Sequence, residues 1–127
     1  MENKGEIVIY QNQDENISLN VRLEDENVWL TQANLVDLYQ SSKSNVSEHI
    51  KHIFEEGELN ENSVVRKFRT TAADGKNYET TFYNLDLIIS LGYRIKSRIA
   101  TQFRIWATQR LKSYRLTDYV MFAKMNG

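Results

Sequence analysis

The 127-residue chain contains neither cysteine nor proline. Without cysteine there is no disulfide framework, no thiolate metal site and no thiol nucleophile. The absence of proline fits a compact chain with few rigid turns. Glycine is scarce, at five residues, and none of them forms a glycine-rich phosphate loop or a serine nucleophile elbow. No apolar run is long enough to cross a bilayer, and Met1-Glu2-Asn3-Lys4 has no signal-peptide pattern. The expectations are therefore a cytoplasmic protein of one domain, with no membrane partner, no metal and no cofactor.

Acidic residues are what the second half lacks. Residues 1–62 hold four basic against thirteen acidic side chains, a net −9, and residues 63–127 hold twelve against four, a net +8. From Ser90 to Thr117 there are seven Lys or Arg and no Asp or Glu. Two readings fit this asymmetry. The halves attract each other, within the fold or across a homodimer, or one face is left basic for a polyanion such as nucleic acid.

The chain in order reads as α+β. Glu6–Tyr10 and Ile17–Leu23 are strand-like, the second alternating strictly through Ile17, Leu19, Val21 and Leu23. Val28-Trp29-Leu30 is a short third strand. Thr31 has the character of a helix N-cap, followed by a helix from Gln32 to Tyr39 that buries Leu35, Val36, Leu38 and Tyr39. Ser42 caps a second helix reaching about Glu56 and ended by Gly57, with Val46, Ile50, Ile53 and Phe54 inward. Two short helices joined by so tight a turn have the helix-turn-helix outline.

Two further alternating runs, Val64–Thr71 and Lys76–Tyr83, flank Ala73-Asp74-Gly75, and Asp-Gly between strand-like runs signals a hairpin. Val65, Lys67 and Arg69 share one face of its first strand, with Val64, Arg66 and Phe68 on the other. A basic hairpin after a helix-turn-helix resembles the wing of a winged helix; the plain alternative is a sheet edge protected by charge. Asn84 caps a largely apolar helix to about Tyr93, and Ser97 opens a long last helix. Its wheel places Ile99, Phe103, Trp106, Ala107 and Tyr114 on one face, and Ser97, Thr101, Arg104, Thr108, Lys112 and Arg115 on the other. Arg110 lands inside the apolar face, where a lone charge calls for an acidic partner or a dimer contact. The expected division is strands over 5–30, helix-turn-helix over 31–57, wing over 63–83, a helical platform over 84–116, and a truncated tail over 117–127.

Several blocks carry a family resemblance. They are Trp29-Leu30-Thr31-Gln32, His49-Ile50-Lys51, Phe54-Glu55-Glu56-Gly57-Glu58-Leu59, Thr71-Ala72-Ala73-Asp74-Gly75-Lys76, Tyr83-Asn84-Leu85-Asp86, Ile88-Ile89-Ser90, Gly92-Tyr93-Arg94 and Thr101–Thr108. Together they resemble the RhuM family of bacterial virulence proteins over about residues 5 to 116. The Tyr83–Trp106 block is also similar, more weakly, to the Bro-N domain of phage and viral DNA-binding proteins. Members of the RhuM family are usually longer, so the chain resembles an N-terminal domain or a truncated copy. The resemblance implies a mobile-element or prophage setting and a DNA-binding domain.

The expected function is duplex DNA binding. Ser42, Lys43, Ser44, Asn45, Ser47 and Lys51 of the second helix would dock in the major groove. Arg66, Lys67, Arg69 and Lys76 of the wing would contact the backbone, with Arg94, Lys96, Arg98 and Arg104 extending the phosphate surface. Glu48, Glu55 and Glu56 weigh the other way, toward an ordinary exposed helix, because carboxylates repel phosphate. The alternative is a protein–protein interaction or dimerisation module that binds no DNA. Catalysis is not expected: His49 and His52 lie three apart near Glu48 and Glu55, but zinc proteases use a four-residue spacing with an internal Glu.

Overall fold

Strict alternation builds a meander at the start of the chain. The computed structural model describes residues 5–12, 14 and 16–126, with side chains as far as residue 113. Strands β1 (Glu6–Asn12), β2 (Ile17–Glu24) and β3 (Asn27–Thr31) pair antiparallel in sequence order. Val8, Tyr10, Leu19, Val21 and Leu23 are buried on one face, while Ile7 and Ile9 are exposed on the other. The β2–β3 turn has two residues, Asp25 and Glu26, at φ 52° and 57°. Positive φ at both central positions gives a turn whose twist matches that of the strands it joins.

Thr31 both closes β3 and caps α1 (Gln32–Tyr39). Its hydroxyl accepts from the Asn34 amide at 3.1 Å, and the Asn34 side chain accepts from the Thr31 amide at 3.0 Å. Gln40 then takes a left-handed conformation, φ 49°, which reverses the chain, and Ser42 caps α2 (Lys43–Glu55). Helix α2 buries Val46, Ile50 and Ile53, as its spacing predicts, and Phe54 is half-buried. A short helix α3 (Glu61–Val64), capped by Asn60, precedes strand β4 (Val65–Thr71), so Val64 ends a helix and does not open the strand. Strand β5 (Asn77–Asn84) returns after a turn in which Gly75 has φ 82°.

The N-terminal strands and the later hairpin form one sheet, in the order β1-β2-β3-β5-β4. The join is β3 to β5, with Trp29 opposite Asn84, Leu30 opposite Tyr83 and Thr31 opposite Phe82. Asn84 ends β5 and caps α4 (Leu85–Ile95), accepting from the Leu87 amide at 3.3 Å. From the β2–β3 turn, Asn27 Oδ1 accepts a second free amide of that helix, Leu85 N, at 3.1 Å. Helix α5 is continuous from Ser97 to Asn126, so its backbone runs through the point near 116 where the platform was expected to end. Tyr114, Arg115 and the apolar side chains expected in the tail lie outside the described side chains.

Residues from all three N-terminal strands, α1, α2, α4 and α5 share the main core. Tyr10 packs edge-on against Phe103 and Trp106, each at 5.0 Å between centroids, and Asn12 Nδ2 donates to Gln102 Oε1 at 2.7 Å, which fastens the first hairpin to α5. Tyr39 donates its hydroxyl to the Ile88 carbonyl at 2.6 Å, joining α1 to α4. Gly92 leaves room for that ring: a Cβ there would lie 2.5 Å from both Tyr39 Cζ and Ala100 Cβ. Burial pushes the Tyr39 hydroxyl pKa well up. On the opposite face of the sheet, Trp29, Phe68 and Phe82 form a second, smaller cluster. Arg22 lies over Phe68 at 4.1 Å and Arg66 over Trp29 at 4.6 Å, which shields those rings from water. Arg110, placed in the apolar face of α5 by its wheel position, is exposed. Ala107 is the last buried residue among those described on α5, so this turn already lies beyond the core and the side chain meets solvent. Among the described residues no helix is long and apolar enough to cross a membrane.

Candidate nucleic-acid interface

Local hydrogen bonding decides which polar groups at the start of α2 remain available. Ser42 Oγ caps the helix, accepting from the Asn45 amide at 3.1 Å, and lies 3.3 Å from Ser44 Oγ. Asn45 Nδ2 donates back to Ser41 Oγ at 2.8 Å. Ser47 Oγ accepts from Gln32 Nε2 at 2.6 Å, and the same amide reaches the Lys43 carbonyl at 3.4 Å. Gln32 thereby sets the angle between α1 and α2, a role with no sequence signal beyond its place in the first turn of α1. No acid occupies the first turn of α2, so the positive end of its dipole is not offset from within the helix.

A cleft of about 530 Å³ opens beside this helix start, lined by Thr31, Gln32, Val36, Asp37, Lys43, Thr80 and Thr81 among others. It exists because β3 stops opposite Phe82 while β5 continues toward the hairpin tip, so Thr80 and Thr81 border open space. On the neighbouring strand Lys67 pairs with Thr81 and Arg69 with Glu79. Lys67 and Arg69 follow Val65 at intervals of two, which places them on the helix-facing side of the sheet. Lys76 sits at the tip, its amide donating to Asp74 Oδ1 at 2.9 Å. Lys43, Lys51, Lys67, Arg69 and Lys76 are all exposed, and among the described residues none is in an ion pair.

The remaining expected phosphate contacts have other placements. Arg66 shares the outer face with Phe68, away from Lys67 and Arg69, and pairs with Asp25 while stacking on Trp29. Arg94 Nη2 donates to Glu56 Oε1 at 2.9 Å and to Glu58 Oε1 at 2.7 Å. These bonds hold both carboxyl groups below the usual carboxylate range, and for Glu58 a bond from Ser90 adds to the effect. Lys96 Nζ donates to Gln40 Oε1 at 3.2 Å. Arg98 and Arg104 are exposed on α5. The pairs of Arg66 and Arg94 both join the acidic half of the chain to the basic half. Attraction between the halves therefore consumes part of the positive charge, and among the described residues the cations of α2 and the hairpin, with Arg104, Arg110 and Lys112 of α5, lie outside these pairs.

The two histidines are not brought together. His52 Nε2 lies 3.2 Å from Glu48 Oε1, whereas His49 Nδ1 is buried without a partner among the described residues. Among those residues no three His, Cys, Asp or Glu converge as a metal site would require.

No curated protein and no solved structure matches the chain. A family match is found over residues 63–125, from the residue before Val64 through the hairpin, α4 and nearly all of α5. The segment before it, with α1 and α2, lies outside the matched range, and the Bro-N likeness is not shown by it. Through that hairpin and its helical support, the chain belongs to the Virulence protein RhuM family.

Proposed function

We propose that this domain binds duplex DNA, with α2 entering the major groove and the inner face of the β4–β5 hairpin following the sugar-phosphate backbone. The observation that carries the reading is the group of five exposed cations that, among the described residues, are in no ion pair: Lys43 and Lys51 on α2 and Lys67, Arg69 and Lys76 on the hairpin. Lys43 lines the cleft between α1 and β5, and the other four lie on α2 and the hairpin beyond its lining. The chain order supports it: strand, two helices joined by a three-residue turn, then a hairpin whose second strand returns to pair with the first. With the short α3 between α2 and the hairpin, this order resembles that of a winged helix, in which α2 would be the reading helix. The start of α2 adds its free amides and the positive end of its dipole.

Fluorescence anisotropy with a labelled random-sequence duplex tests this. Five neutralised phosphates give a log–log salt slope of about −4.5, so raising salt from about 50 to 200 mM should weaken binding roughly 500-fold. No binding at low salt, or binding indifferent to salt, refutes the proposal. The alternative of a protein–protein module draws on Ile7 and Ile9, exposed on the edge strand β1. Sizing in low and high salt with and without DNA separates the two: a complex that ignores DNA supports the alternative.

A further inference from the structure

The outward face of α2 has an unexpected centre. With Val46, Ile50 and Ile53 buried, 100° steps place Glu48 opposite the core, flanked by Ser44, Lys51, His52 and Glu55. The Glu48 side chain is 61 % exposed, and its Oε1 lies 3.2 Å from His52 Nε2 one turn on. One carboxylate oxygen is thus held from within the helix, and no partner is found for the other among the described residues. The group is an exposed acceptor on the outward face, with His52 beside one of its oxygens. A carboxylate is repelled by phosphate, so at the centre of a groove-facing surface it costs affinity unless a donor meets it. The major groove offers two amine donors, cytosine N4 and adenine N6, and because adenine N6 lies beside the N7 acceptor, which repels a carboxylate, cytosine N4 is the better match.

We infer that Glu48 is a specificity-determining residue that accepts a hydrogen bond from cytosine N4, with His52 as the positioning residue that holds its other oxygen. The inference rests on the DNA-binding reading above. It assigns the carboxylate to base selection while the cations around it supply affinity. Ser44, one turn earlier on the same face and 3.3 Å from Ser42 Oγ, is placed to contact the adjacent position.

The test is selection of bound duplexes from a random pool with the full chain and with Glu48→Gln, Glu48→Ala and Glu55→Gln. Anisotropy titrations of the recovered duplexes follow, with each position changed in turn. Glu55 is exposed on the same face further along the helix, so its variant controls for the loss of one negative charge. The full chain should enrich a motif with an invariant cytosine, and replacing that base should weaken binding about tenfold or more, the range of one good base contact. Glu48→Ala should lose the preference at that position alone. Glu48→Gln should move it toward adenine, whose N6 and N7 suit an amide, and Glu55→Gln should leave it intact. If Glu48→Ala tightens binding to all duplexes equally and enriches the same motif as the full chain, Glu48 only repels phosphate and the inference is overturned. Enrichment of no motif, with salt-sensitive binding retained, overturns it while leaving the DNA-binding reading standing. No binding by any variant fails both. All three substitutions are at exposed positions, and circular dichroism melts establish that the variants are folded.

Discussion

Replacing Gly92 by alanine should be the most damaging single-methyl change in the molecule. Glycine inside a helix normally costs about 1 kcal/mol relative to alanine, so at an ordinary site the substitution would stabilise α4. At residue 92 the new Cβ would meet the Tyr39 hydroxyl first and lie 2.5 Å from both Tyr39 Cζ and Ala100 Cβ. Both residues are fully buried, Tyr39 on α1 and Ala100 on α5, so α1, α4 and α5 would have to separate. Overpacking of this kind costs about 1–3 kcal/mol. Displacing Tyr39 also breaks its 2.6 Å bond to the Ile88 carbonyl. Leaving the Tyr39 hydroxyl buried without its acceptor adds about 1–3 kcal/mol. Less the helix-propensity gain, the net loss is about 3 kcal/mol, which for a domain of this size lowers Tm by roughly 10 °C. Thermal and urea unfolding followed by circular dichroism measure it. Combining the change with Tyr39→Phe should cost less than the sum of the two single variants, because the hydroxyl is the nearest obstacle. A Gly92→Ala protein that melts at or above the parent temperature would show that the helix gains more than the packing loses, and would refute the argument.

Gly57 offers the contrast, since it has φ 76° and nothing lies within 4 Å of the point where a methyl group would stand. Gly57→Ala should cost only about 1 kcal/mol, from backbone strain alone, and should show no coupling to Tyr39. Arg94→Met should lower stability at neutral pH, and the deficit should shrink with acid. Glu56 and Glu58 have depressed pKa values in the folded chain, so their contribution is present above the ordinary carboxylate range and is lost as pH falls through the lowered values. Melts of both proteins between about pH 7 and 3 check this, and a gap that widens with acid refutes it. Lys67→Ala should reduce the salt slope of DNA binding by about one with little change in motif, whereas Arg66→Ala, on the opposite face, should leave the slope unchanged.

Local chemistry in the sequence carried much of the fold. Thr31, Ser42 and Asn84 each cap the helix they were expected to cap, because an N-cap depends on a hydroxyl or amide and the next three residues. Asp74-Gly75 turns the hairpin for an equally local reason. What stayed hidden depends on distant partners. Leu30 opposite Tyr83 makes a single sheet out of two apparent ones, yet neither residue's neighbours signal the other. Arg66 and Lys67 look alike in sequence, but strand alternation sends one to Trp29 and Asp25 and leaves the other exposed. Arg94 looked like surface charge until the C-terminal end of α2 brought Glu56 and Glu58 beside it. Helix α3 was missed because four residues are too few to show a period.

The join between β3 and β5 also bears on how the chain acquires its structure. Strand β3 forms one edge of the meander until its partner arrives, and that partner begins 46 positions after Thr31, beyond α1, α2, α3 and β4. On an elongating polypeptide, Trp29 and Leu30 have no strand to pair with on that side until Tyr83 and Asn84 have been made. The loop that must close carries its entropy cost before any of the pairing energy is recovered. The first three strands and α1–α2 are therefore expected to acquire protection from hydrogen exchange late and together with the hairpin, in one step set by the closure of β5 onto β3.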